Sequence, residues 1–164
     1  VTEPAPAPRV RPGFWRWIVA GLALLFVIAV LLPNHPHRGG HEPGAPIGAL
    51  KTINTSQTLF REGDKEGDGA LDYGTLEELS NTTLIDAVLG SGRKQGYVFQ
   101  VRPSPQTPDF LWMAVANPEE PTVSGDRYFV TNQAGIIYYT GLQGHAFELN
   151  DACEIPPGAL PVGK

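Results

Sequence analysis

The chain has 164 residues, a net charge of −5 from 12 Lys/Arg against 17 Asp/Glu, and one cysteine. The acidic balance excludes nucleic acid as a partner, and the lone Cys153 excludes an internal disulfide framework. Charge is also divided along the chain: residues 1–38 hold four Lys/Arg and one Asp/Glu, whereas residues 39–164 hold eight and sixteen.

Residues 1–13 contain four prolines and no core-forming pattern, which predicts a tail. Residues 17–32 carry no charge at all. The segment 14–33 is about 20 residues long, enough for a helix across a hydrocarbon core of ~30 Å. We therefore expect a transmembrane helix at 14–33. Arg9, Arg11 and Arg16 precede it and only Arg38 follows closely, so the N-terminus should be cytoplasmic and the remainder outside. Trp15, Arg16 and Trp17 suit the inner membrane interface, and Ala20 with Gly21 would let a neighbouring membrane helix approach closely. No small-x-small cleavage site follows the apolar run, which favours a retained anchor over a secretory signal.

Proline and glycine recur through residues 34–46, predicting a linker. A helix is then expected over residues 47–62, with Leu50, Ile53, Gln57 and Phe60 forming one stripe. Residues 63–73 read as a glycine and carboxylate loop. Thr75 and Glu78 have capping-box spacing for a short helix, and residues 84–89 form a second helical turn. The period then changes. Residues 97–101, 110–116, 127–131 and 136–140 are aromatic and β-branched runs with strand character, the last two joined by a turn at 132–135. Residues 141–164 are expected as an extended tail. The resulting fold class is α+β: a membrane helix, then a domain at 47–140 in which one helix lies on a small four-stranded antiparallel sheet.

Asp64, Glu66, Asp68 and Asp72 occupy positions one, three, five and nine of a calcium-type loop, with Gly69 at position six. Position twelve, which should be a bidentate glutamate, is Thr75. A calcium-binding module is thus one functional alternative, with no other cofactor implied. His35, His37 and His41 lie in the linker without a fourth ligand, and we read them as polar linker residues. No nucleophile with a base, no paired carboxylates and no phosphate loop stand out, so no enzymatic activity is expected. Trp112, Tyr138 and Tyr139 lie in adjacent pairs of aromatic or apolar residues on strands. One member of each pair must face away from the helix, which makes them candidates for partner binding.

Three ordered segments, Ala49-Leu-Lys-Thr-Ile-Asn-Thr-Ser-Gln57, Leu84-Ile-Asp with Ser91-Gly-Arg-Lys-Gln-Gly-Tyr97, and Arg127-Tyr-Phe-Val-Thr-Asn-Gln-Ala-Gly-Ile-Ile-Tyr138, resemble the exported domain of bacterial type IV pilin-like proteins and type II secretion pseudopilins. The resemblance covers about residues 47–140 and implies a non-enzymatic role in assembly. The anchor departs from that family. A pilin begins after its glycine with Phe-Thr-Leu-Ile-Glu, but here Gly13-Phe14 is followed by Trp15-Arg16-Trp17-Ile18, and Pro12 stands before the glycine. The linker would also break the continuous helix that builds a pilus core. The expectation is a single-pass structural subunit of a multi-subunit complex in the bacterial inner membrane, photosynthetic and respiratory assemblies being the hosts considered. Its domain would be periplasmic, and its partners would be other integral membrane subunits and lipid. A minor pilin or pseudopilin is the rival, and it requires processing at Gly13-Phe14.

Overall fold

The computed structural model describes residues 44–65, 67, 69–141 and 144–163. Among these residues the one long helix, α1, spans Gly44–Glu62. It begins three residues before the expected start because Pro46 fits inside a first turn, where its missing N–H has no intrahelical partner to lose. Ala49, Leu50, Ile53, Ser56, Gln57 and Phe60 recur at three- and four-residue spacing and are buried. Two short helices follow. α2 (Leu76–Asn81) starts with the Thr75/Glu78 capping box, in which Glu78 N–H donates to Thr75 Oγ1 and Thr75 N–H donates to Glu78 Oε2. α3 (Ala87–Gly90) is capped by Asp86, whose Oδ1 accepts from Leu89 N–H at 2.9 Å.

The strands are β1 (Arg93–Lys94), β2 (Tyr97–Pro103), β3 (Trp112–Pro118), β4 (Arg127–Asn132), β5 (Tyr138–Gly141) and β6 (Leu160–Pro161). They form one antiparallel meander in sequence order. The expectation of a membrane helix followed by a helix on a four-stranded sheet is corrected. The sheet has six strands, and no helix among the described residues is long and apolar enough to cross a membrane. The apolar run at 14–33 lies outside the described residues. The two additional strands, β1 and β6, are two residues each and carry no periodic signal of their own.

A second difference lies in the C-terminal segment. Residues 144–163, read from the sequence as an extended tail, lie mostly outside helix and strand, and they cross the face of the sheet opposite α1 and complete a second core. Phe147 and Cys153 are buried there against Met113, Val115 and Val130, with Leu149, Ile155 and Ala159 around them. Side-chain amides fasten this strap. Asn117 exchanges two hydrogen bonds with the Phe147 backbone, at 2.8 and 3.3 Å, and Asn132 Nδ2 donates to Cys153 O at 2.8 Å. The strap ends by pairing β6 with β5. On the α1 face, Trp112, Ala114, Ala116 and Phe129 meet Leu50, Ile53 and Phe60. Both faces of β3 are therefore covered by the chain itself.

Candidate functional site

Polar side chains on α1 tie the helix to three loops, and those ties shape a cleft. Ser56 Oγ donates to Leu84 O at 2.9 Å, Gln57 exchanges two bonds with Gly74, and Asn54 Nδ2 donates to Gly135 O at 3.1 Å. The last of these draws the turn between β4 and β5 against the helix. Thr131 supports it from below: its hydroxyl lies 3.0 Å from Ile136 O and 3.3 Å from Asn54 Oδ1. Gly135 sits at φ 72°, a left-handed backbone that this turn requires and glycine adopts without strain.

Between the turn and the outward face of α1 lies a cleft of about 350 Å³. Tyr73 and Trp112 form its base, Thr55, Thr58 and Leu59 one wall, and Gln133 with Gly135 the other. Their rings are 6.0 Å apart and tilted by 49°. The Arg61 guanidinium covers the Tyr73 ring from outside, 5.4 Å from its centroid, while Arg61 Nε–H donates to Leu71 O. Among the described residues, no charged side chain lines the cleft.

The polar groups at the cleft are unevenly committed. Thr55 and Thr58 send their protons to the carbonyls of Lys51 and Asn54, leaving oxygen lone pairs facing outward. Trp112 is only 2% exposed. No side-chain nitrogen or oxygen among the described residues is both sealed from solvent and unbonded. Leu59 (49% exposed) and Ile136 (48%) stand beside the opening, and Leu71 and Phe110 are exposed nearby on the loops joined by the Tyr73 N–H to Pro108 O bond.

The sequence candidates fall out as follows. Trp15, Arg16, Trp17, Ala20 and Gly21 lie outside the described residues, as do Glu66 and Asp68. Asp64 accepts from the N–H groups of Gly67 and Gly69, both at 3.1 Å, so each carboxylate oxygen closes its own loop. Asp72 is half-buried, and the Thr75 hydroxyl at position twelve is the α2 cap. Among the described residues no three His, Cys, Asp or Glu side chains converge as a metal site. The aromatic candidates do not stand on an open sheet face, because the strap and α1 cover both sides. Trp112 is buried under α1, Tyr138 borders the strap core, and Tyr139 borders the α1 core beneath the Arg127 guanidinium at 4.9 Å. Of the three, only Trp112 reaches the cleft. Thr55, Thr58, Leu59, Gln133 and Gly135 were missed because each reads as solvent-facing helix or turn until the fold brings them together.

Burial raises the Cys153 thiol above its ordinary value, and burial likewise raises Tyr97, whose hydroxyl donates to Arg127 O. Asp86 is lowered, chiefly by its hydrogen bond from Lys94. All three lie away from the cleft. No family model matches the chain, and no curated protein or solved structure matches it.

Proposed function

We propose that this chain is a non-catalytic structural subunit of a multi-subunit bacterial inner-membrane assembly, tethered through its apolar residues 17–32 and bracing the periplasmic face with the folded domain. The observation that carries this is the uncharged cleft with apolar side chains gathered around it, a surface suited to contact. The arginines before the apolar run support the orientation, and the likeness of three ordered segments to pilin-type exported domains supports an assembly role. Photosynthetic and respiratory complexes are suitable hosts.

The test is purification from gently solubilised native membranes through an affinity tag after Lys164, with mass spectrometry of every retained chain. A fixed set of integral membrane subunits, with residues 1–13 still attached, is the expected result. Recovery of secretion or pilus components, with a new N-terminus at Phe14, would overturn it and make the chain a pseudopilin.

A further inference from the structure

We propose that the strap of residues 144–163 is a latch: it opens as a unit while α1 and strands β1–β5 stay folded, and in opening it bares an apolar sheet face and the Cys153 thiol. The strap joins the sheet through β6, which lies at the end of the strand order, so its departure breaks no ladder among β1–β5. The two cores also differ in size. Among the described residues, the cluster on the α1 face has sixteen buried members, none from the strap, whereas the cluster on the opposite face has five, to which the strap gives Phe147 and Cys153. Val162 of the strap touches the α1-face cluster only as a partly buried side chain. A segment with few buried apolar contacts opens at lower cost than the body it rests on. The ties to the sheet are hydrogen bonds from Asn117 and Ser104 to the strap backbone, with Asn132 bonded to the Cys153 carbonyl, and these groups regain water when the strap lifts. The strap also carries bonds of its own. Glu154 N–H donates to Asn150 Oδ1 at 3.0 Å, Asn150 Nδ2 donates to Glu154 O at 2.9 Å, and Cys153 N–H donates to Asn150 O at 3.1 Å. None of these needs the sheet, so the turn at 150–154 moves as one piece. The closed state is kept in the majority by Met113, Val115 and Val130, which are fully buried beneath the strap and meet water when it lifts.

The test uses the full chain in detergent with Trp15→Phe and Trp17→Phe. Trp112 is then the one indole and lies on the α1 face, while Cys153 is the one thiol and lies on the strap face, so each core has its own reporter. Reaction of Cys153 with a disulfide reagent proceeds from the open state, at the rate of a free thiol multiplied by the open fraction when closing is fast. At low urea the logarithm of that rate should rise with a slope about a quarter or less of that for global unfolding read from Trp112 emission, because the slope follows the surface exposed. Ile53→Val, a small change in the α1-face core, should lower the urea midpoint seen by Trp112 and leave the thiol rate within about twofold. Asn117→Ala loses two bonds to the Phe147 backbone and should raise the thiol rate about tenfold. A thiol rate that climbs with the full slope of global unfolding, or that rises in Ile53→Val in proportion to its lost stability, would overturn the latch. So would a rate unchanged in Asn117→Ala, or one already equal to that of a free thiol.

Discussion

Gln57 and Gly74 hold each other through two hydrogen bonds inside the core: Gln57 Nε2 donates to Gly74 O at 2.6 Å, and Gly74 N–H donates to Gln57 Oε1 at 2.9 Å. Gln57 is fully buried on α1, so a single primary amide satisfies a backbone donor and acceptor that water cannot reach. Gln57→Leu keeps the bulk but strands both groups and should cost about 3 kcal/mol in urea unfolding of the full chain. Gly74→Ala should also destabilise, because a Cβ there would lie 3.0–3.2 Å from the Phe60 ring. If Gln57→Leu unfolds at the same urea concentration as the unaltered chain, the amide is not the clamp described.

Periodicity made α1 and the four long strands legible, since each is long enough to repeat its pattern and is bounded by Pro, Gly or Asn. The second core was harder. Phe147, Leu149, Cys153, Ile155 and Ala159 follow no strand or helix period, and the strap is held by Asn117 and Asn132, which are 30 and 21 residues from their partners. One local signal did exist: Trp112-Met-Ala-Val-Ala116 is apolar at every position, and such a run marks a strand covered on both faces. The cleft had no local signal. Its defining bond joins Asn54 to Gly135, 81 residues apart, and a sequence pattern does not carry that proximity.

Removing the strap should expose the apolar face beneath it. A chain ending at Gly141 would leave Met113, Val115 and Val130 open to solvent and should bind the dye ANS, which the full chain should not. Within the full chain, Phe147→Ala should cost about 3 kcal/mol through the cavity it leaves, and Asn117→Ala less, since it loses two hydrogen bonds but no large apolar contact. Equal ANS binding by the full-length and shortened chains would mean that the strap does not cover that face in solution.

Asp151 is engaged twice, and the two engagements should differ in worth. Its side chain meets Arg102 at 2.5 Å, with the two side chains 60% and 43% exposed, so Asp151→Asn should change stability by less than about 1 kcal/mol. Its backbone carbonyl accepts from Ser104 Oγ at 3.0 Å, and Ser104 is buried. Ser104→Ala should therefore cost about 1 kcal/mol and remain costly in high salt, where any effect of Asp151→Asn vanishes. Denaturant midpoints measured at low and high ionic strength separate the two.

Cys153 belongs to the strap, with its backbone at φ 53° and its side chain packed against the sheet, and burial holds its thiol above the ordinary value of 9.0. A raised value means that the folded state keeps the proton after the unfolded chain has released it. The stabilisation is thus complete below pH 9 and is lost as the pH rises through the folded value. Other groups, Tyr97 among them, titrate in the same region, so the informative quantity is the difference between the unaltered chain and Cys153→Ala. That difference should favour the unaltered chain by about 1 kcal/mol at neutral pH, from the lost buried sulfur, and should shrink above pH 9. The same thiol reports on the strap: it should react slowly with a disulfide reagent in the native state and faster in Asn132→Ala, which loses the bond to the Cys153 carbonyl. A rate that is already fast in the unaltered chain, together with a pH-independent difference, would show that the thiol is not sealed between the strap and the sheet.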